Sequence, residues 1–383
     1  MIEILFWLSL LFIFYTYAGY PIVLFIWSRL FPMSVDKKYM VPFPMVSVVI
    51  AARNEEKYIA DKIKNLSQQD YPVDKFEIII ISDGSTDRTL EILADLRKRF
   101  EETPKQPVLR LIKVKENKGK PNALNLGVHA ATGDFIVFTD ARQKFTPTAI
   151  KELLANFSDE KVGSVSGELV FVKDMNSPVE TEMCFYWNLE KKVRRMESTI
   201  HSVPGATGAI YAIRKELYTP VPKETLLDDV YIPMNIVLKG YRSIFEANAL
   251  AFDSYSKSFS QEKRRKVRTL AGNYQLLTLM PRLLNPLQNR IFFRYLSHKV
   301  FRLLIPFIFI VFLVTLLILN EPVYRYFFIG TLIFIFSAAF SRYTKKIPLI
   351  GFLGKVSVTF FTLNYFAFLA LFYWIKRGQK QEW

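Results

Sequence analysis

An α/β domain with a mostly parallel sheet, set between apolar terminal segments, is the architecture this 383-residue chain predicts. Three observations carry that reading. Short apolar or β-branched runs alternate with amphipathic helical stretches from about residue 46 to 140. Acids close two of the runs: Asp83 follows Glu77-Ile78-Ile79-Ile80-Ile81-Ser82, and Asp140 follows Phe135-Ile136-Val137-Phe138-Thr139. Both ends of the chain are nearly unbroken apolar sequence. Carboxylates at the carboxyl ends of buried strands matter because open α/β sheets hold their ligands there.

The elements follow in order. Residues 1–31 are long enough to span a bilayer, for which roughly 20 residues suffice. A cleaved signal peptide is the rival, opposed by Glu3 in place of a basic start, by the apolar length and by the lack of a small-residue cleavage site. Val46–Ala52 reads as a strand, and 55–66 as a helix with Ile59, Ile63 and Leu66 on one stripe. Strand 76–82, helix 86–100 (Leu90, Leu93, Leu96 and Phe100 inward), strand Val108–Val114, helix 121–131 and strand 135–139 repeat the unit. Such repetition implies a parallel sheet covered on both faces. After Arg142 the alternation loosens into a helix over 179–199 carrying Phe185, Tyr186 and Trp187, a small-residue loop over 202–208, a strand over 209–213 and a helix over 225–240 capped by Gly240. A basic helix over 261–280 leads into 281–297, where Leu283, Leu287, Ile291 and Tyr295 recur every four residues, as in a helix lying on a membrane surface. Further spans are expected over 303–319, 327–340 (short, with a re-entrant alternative) and 356–375. The expected division is 1–35 anchor, 36–260 α/β domain, 261–300 surface helices and 301–383 C-terminal membrane region.

Formal net charge is +16, and the cations cluster beside the spans: Arg29, Lys37 and Lys38; Arg290, Arg294, Lys299 and Arg302; Arg342, Lys345 and Lys346. By the positive-inside rule the central domain faces the cytoplasm, in a multi-pass cytoplasmic-membrane protein. Lys376, Arg377 and Lys380 would then lie outside, against the rule. Anionic lipid explains the charge, so nucleic acid is not an expected partner. The lone Cys184 excludes a disulfide framework, and the scattered His129, His201 and His298 argue against zinc.

Five segments spell a pattern: Ala52-Arg53-Asn54-Glu55-Glu56, Asp83-Gly84-Ser85-Thr86-Asp87, Lys118-Gly119-Lys120-Pro121-Asn122-Ala123-Leu124-Asn125, Thr139-Asp140-Ala141-Arg142 and Leu227-Asp228-Asp229. In this order, between terminal spans, the chain resembles the membrane-bound family-2 glycosyltransferases, the group containing cellulose, hyaluronan and poly-N-acetylglucosamine synthases. The resemblance implies a GT-A fold and a nucleoside-diphosphate sugar donor, usually a UDP-sugar. It implies that Asp83 accepts a hydrogen bond from the base, with Ala52, Asn54 and Glu55 lining the same pocket and Lys118 and Lys120 approaching the diphosphate. An ordinary Asp-Gly turn competes for Asp83, and a charge in a helix's first turn competes for Glu55.

Asp140 corresponds to the first acid of the family's Asp-x-Asp metal signature, and Arg142 replaces the second. Either Asp140 still holds Mg²⁺ or Mn²⁺ with substrate oxygens completing the shell, or Arg142 pairs with the diphosphate itself. Asp229, with Asp228 before it, corresponds to the family's Glu-Asp pair and is implied to be the general base of an inverting transfer; acids also favour helix N-termini regardless of chemistry. The Gln-x-x-Arg-Trp signature of processive synthases is broken. Aligned on Gln261, Arg264 is the phosphate contact; aligned on Gly272, it is Arg268; neither register supplies the tryptophan. Gly205, Ala206, Thr207 and Gly208 resemble the acceptor-side loop, with an ordinary turn as the alternative, and Trp187 is a sugar platform or, more simply, a core aromatic. The implied activity is transfer of a sugar to a polysaccharide or lipid-linked acceptor, with single-sugar transfer to a lipid carrier and a non-catalytic nucleotide-binding scaffold as rivals.

Overall fold

The computed structural model describes residues 1–172, 180–254, 258–344 and 347–376, the side chains of 180–186 excepted. Cys184, Phe185 and Tyr186 (as side chains), Lys345, Lys346, Arg377 and Lys380 therefore lie outside the described residues. An eight-stranded mixed sheet forms the core in the order β3-β2-β1-β4-β7-β6-β8-β5. The strands are β1 Val46–Ala52, β2 Phe76–Asp83, β3 Val108–Val114, β4 Phe135–Phe138, β5 Lys144–Phe145, β6 Val162–Val172, β7 Tyr211–Arg214 and β8 Arg242–Ser254.

The first four strands are parallel, with Val46 level with both Phe76 and Phe135. Every residue of β1, β2 and β4 is buried, as expected where helices cover both faces and strands read as continuous apolar runs. Beyond β4 the sheet turns mixed: β7 is antiparallel to β4 and to β6, β6 is parallel to β8, and β5 is antiparallel to β8. Together these form the GT-A-like mixed sheet.

The strands that sequence periodicity missed, β6 and β8, carry polar residues inside. Ser164, Ser166, Glu168, Arg242, Ser243 and Glu246 are buried, each interrupting the apolar signal. The charged ones are paired: the Arg242 guanidinium donates to the carbonyls of Met33, Ser34, Ser198 and His201, Glu168 meets Lys191 and Arg195, and Glu246 meets Lys37. Gly167 is required by crowding, since a Cβ there would stand 2.5 Å from the Ala249 carbonyl oxygen.

Among the described residues, four helices are long and apolar enough to cross a membrane: Ile2–Leu30, Phe292–Ile318, Pro322–Ala339 and Pro348–Lys376. Two expectations are corrected here. Residues 281–297 are not one amphipathic surface helix. Pro281–Leu284 is a 3₁₀ turn, Leu287 is 94% exposed while Leu283, Ile291 and Tyr295 are buried, and the long apolar helix already begins at Phe292. Lys376 does not end far from the domain either. Trp374 stacks on Tyr274, ring centroids 5.9 Å apart, within the helix Phe259–Leu279 that packs on the α/β domain through Gly272 against Leu226 and Leu227.

The helix Glu180–Ile200 joins domain and apolar helices. His298 bonds Glu190 at 2.6 Å and Glu197 at 2.8 Å, Arg302 pairs with Glu190 at 2.9 Å, and the Tyr20 hydroxyl donates to Glu197. Tyr15 and Ser297 hydroxyls meet at 2.9 Å. A buried polar seam of this kind is costly unless every member is paired, so it fixes one docking geometry.

Candidate active site

Strand ends β1, β2 and β4 deliver three loops to one edge of the sheet. The loop after β2 is locked to the loop after β1. The Asn54 side-chain oxygen accepts from the Thr86 N–H at 2.8 Å, Asp87 accepts from Glu56 N–H and from Thr89, and Thr89 in turn accepts from the Glu55 N–H at 2.8 Å. Asn54 sits at φ 55° to make this turn, which is why the helix begins at Ile59 rather than 55. Burial lifts the Glu55 carboxyl to about 7, against the opposing pull of Arg142.

Asp83 is wholly buried. Its carboxylate accepts from the backbone N–H of Lys118 at 2.9 Å and of Gly119 at 2.7 Å. Gly84 (φ 64°) lets this loop approach, since a Cβ would meet Asn117 N at 2.5 Å. Asp83 thus shapes the segment that launches the helix Lys120–Ala130. Ala52 is buried beneath it, and Lys118 is exposed at its tip.

Lys120 is the centre of the constellation. Its ammonium lies 3.0 Å from Asp140 Oδ1 and 3.3 Å from Asp228 Oδ2. Burial alone would lower it, but Asp140, Asp228 and Asp229 outweigh that and hold it above the ordinary lysine range. Asp229 lies at the start of the helix Asp228–Leu238, where its Oδ2 accepts from the Gly208 N–H at 3.1 Å and its carbonyl from the Ala206 N–H at 2.7 Å. Burial, then the neighbouring Asp228, raise its carboxyl to about 6; Lys120 and Lys299 pull it back. A carboxylate held near 6 is well matched to accept a proton at neutral pH.

A cavity of about 2120 Å³ opens onto these groups. Lys120, Asp140, Arg142, Ala206, Thr207, Gly208, Asp228, Asp229, Arg264 and Arg268 line it; Ala52, Asn54, Glu55, Asp83, Lys118 and Gly205 stand on the adjoining loops outside its wall. The donor set at Asp140 fits an ion shared with a diphosphate, not one held by protein alone. Oδ1 is taken by Lys120, and no group of three His, Cys, Asp or Glu side chains able to hold a metal occurs among the described residues.

Several cavity residues went unread in the sequence. Arg194 clamps the 205–208 loop, donating to Thr207 and, at 3.0 and 3.1 Å, to Ser166 Oγ and the Gly205 carbonyl. Glu190, Lys299 and Arg302 also face the cavity, and no motif marks them; an Arg in a basic helix gives no signal of which way it points. Trp187 lines the wall too, tilted against Phe171 at 5.2 Å with the Lys266 ammonium 4.6 Å from its ring centroid.

Comparison with known proteins places this site in context. The family described as glycosyl transferase family 2 matches residues 47–219, and glycosyl transferase family group 2 matches 135–374. The chain belongs to the family-2 glycosyltransferases. It is 27% identical over 271 residues to the probable glycosyltransferase YdaM of Bacillus subtilis, covering 67% of this chain and 62% of that one. It is 25% identical over 236 residues to a poly-beta-1,6-N-acetyl-D-glucosamine synthase of Staphylococcus aureus, covering 61% and 55%. The chain spans less than two thirds of the length of these curated relatives. In three dimensions it is similar to the mannosyltransferase PcManGT of Pyrobaculum calidifontis, solved with GDP-Man and Mn²⁺, with TM-score 0.72 at 20% identity over 99% of this chain and 100% of that one; that likeness speaks to the GT-A fold.

Proposed function

We propose that this protein is an integral-membrane, inverting glycosyltransferase that takes a sugar from a nucleoside-diphosphate donor, a UDP-sugar on the family resemblance, to an acceptor hydroxyl on a polysaccharide or lipid-linked glycan. The reading rests on one observation above the others: Asp229, lifted to about 6 and oriented by the Gly208 N–H, opens into the same cavity as the Lys120–Asp140 pair. The acceptor hydroxyl gives its proton to Asp229 as its oxygen attacks the anomeric carbon. The bond from that carbon to the diphosphate oxygen breaks, and the nucleoside diphosphate leaves with the electron pair.

Lys120, together with Arg142 and one of Arg264 or Arg268, stands where charge grows on the leaving group, the term that usually dominates such catalysis. Asp83 serves the donor through the Lys118–Gly119 loop, with Ala52, Asn54 and Glu55 beside it. Gly205 to Gly208 form the acceptor side, where small residues let a sugar approach the backbone. Asp140 would hold Mg²⁺ or Mn²⁺ through its second oxygen, the ion supplying further charge to the diphosphate. Clustered cations beside the apolar helices support the cytoplasmic face for the domain.

The test is a donor screen on purified full-length protein, with and without chelator, beside Asp229→Asn. The variant is expected to lose about 10²–10⁴-fold in turnover while still binding donor, and the product should carry the anomeric configuration opposite to the donor's. Normal turnover by Asp229→Asn, or a product of retained configuration, removes this assignment. Chelation is expected to lower turnover without altering the melting of the donor-free protein, because the donor-free site holds no ion of its own.

A further inference from the structure

The cavity does not stop at the catalytic acids. It runs on between the apolar helices, where Leu10, Phe14, Phe309, Phe327, Phe334 and Leu363 are among its walls. Of the described lining residues from the four apolar helices, only His298, Lys299 and Arg302 carry ionisable nitrogen, and all three lie near the domain end of Phe292–Ile318. The hydroxyls of Thr16, Thr331 and Thr359, which also line it, donate to carbonyls of their own helices. A sugar chain threaded here would give up water for walls with few free hydrogen-bonding groups, a loss of roughly 1–3 kcal/mol for each unpaired hydroxyl. A hydrocarbon chain loses nothing.

Lys299 and Arg302 stand where the charged mouth meets this apolar channel. Arg302 is paired with Glu190. Lys299 lines the cavity without a hydrogen bond or ion pair to any described residue. The nearby carboxylates are engaged by others, Glu190 by His298 and Arg302, and Glu197 by His298 and Tyr20. Yet Lys299 is close enough to Asp229 to depress its carboxyl. A cation so placed, dry on one side and facing a cavity, is completed by an anion. Lysine is a point charge well suited to phosphate.

We propose that the acceptor is a membrane amphiphile in which a phosphate links a hydrocarbon tail to a hydroxyl-bearing sugar: the tail lies in the channel between the apolar helices, the phosphate on Lys299 beside Arg302, and the sugar hydroxyl at Asp229. This rests on the transfer reaction above and narrows its acceptor. The chemistry is that already written: the sugar hydroxyl loses its proton to Asp229 and gains the donor's anomeric carbon, while the phosphate takes no part in bond making. A monophosphate or a diphosphate linkage would satisfy Lys299.

Gly330 supplies a test that leaves the fold intact. It lines the channel, and a Cβ there would meet nothing within 4 Å, so Gly330→Trp fills the space meant for the tail. Full-length protein in nanodiscs is assayed with the donor it uses and four acceptors: a tailed sugar monophosphate, a tailed sugar diphosphate, the same head group without the tail, and a tailed sugar without phosphate. One or both tailed phosphates should be used, with KM at least tenfold below those of the other two. Lys299→Met should raise the KM for the tailed phosphate by about 10–100-fold, as expected for losing a charged hydrogen bond, and move the donor KM less. Gly330→Trp should raise KM more for long tails than for short ones. Equal use of the tailless head group, or tail-independent kinetics in Gly330→Trp, overturns the proposal and points to a growing polysaccharide instead. Lipid binding by native mass spectrometry separates the two readings. Lys299-dependent retention of the phosphate lipid with no turnover on any donor upholds the lipid site and removes the transfer reaction; loss of retention with turnover intact does the reverse.

Discussion

Lys120 and Asp229 set each other's protonation, and the consequence is measurable. Lys120 lowers the Asp229 carboxyl, which burial and Asp228 have raised to about 6. A base must be unprotonated to act, so kcat/KM is expected to rise with pH through about 6 in the wild-type protein. In Lys120→Met the lowering charge is gone, and the acid limb moves to higher pH, besides any loss of donor affinity. A limb that stays in place or moves to lower pH contradicts the coupling. Gly208 matters at the same scale: a Cβ would stand 3.1 Å from Asp229 Oδ2, so Gly208→Ala is expected to cut kcat by displacing the base, with the donor KM little changed. These relations were only partly legible in the sequence. Asp228 and Asp229 announce themselves by motif, whereas Gly208 as the partner of Asp229 follows from two segments meeting 21 residues apart.

At the scale of elements, the site is held by loops tied to one another. Lys62, buried on the helix Ile59–Ser67, pins both flanks of the Asp140 loop: its ammonium donates to Thr139 Oγ1 at 2.9 Å and to the Gln143 carbonyl at 2.8 Å. The face of Phe145 lies 3.8 Å from it. Burial lowers Lys62 to about 7, with Asp140 opposing. The sign follows: between about 7 and its ordinary 10.5 the unfolded chain binds the extra proton, so stability rises with pH across that window and is flat below it. Lys62→Met should flatten this slope in urea unfolding measured from pH 7 to 10. A slope unchanged by the substitution sinks the assignment. Asp83→Ala, by stripping the acceptor from two N–H groups in the Lys118–Gly119 loop, should destabilise the protein by about 1–3 kcal/mol for each buried donor left unpaired. The alternating strand–helix half was readable because its strands are dominated by apolar and β-branched residues. The β6–β8 half was not, because buried serines, acids and Arg242 interrupt its apolar pattern and leave no periodic trace.

At the scale of the whole molecule, the path of the chain relative to a membrane follows from packing. Tyr274 lies in a helix bound to the catalytic domain, and Trp374 stacks on it. A chain that leaves and returns on one side must cross an even number of times, yet three apolar helices intervene. We therefore expect Pro348–Lys376 to complete no crossing of its own, with Gly354 abutting Ser341 and Tyr365 bonding Lys263 at 3.2 Å. The expected outcome is that a cysteine-reactive, membrane-impermeant label applied from outside intact cells misses a cysteine placed at Lys376, while labelling from the cytoplasmic side reaches it. Outside labelling rejects this path. The expected path would put Lys376 on the side the positive-inside rule prefers.

What the chain's own letters determined was the parallel half of the sheet, the acids at its strand ends, the apolar segments and the family, all of them local signals or motifs of contiguous residues. Tertiary structure alone decided that Lys120 pairs with Asp140 and Asp228 from two distant segments, that Lys299 meets the same cavity from an apolar helix, and that the last helix folds back to the domain. Those facts depend on which residues face each other across long loops, and a side chain's neighbour in space carries no mark in the linear order.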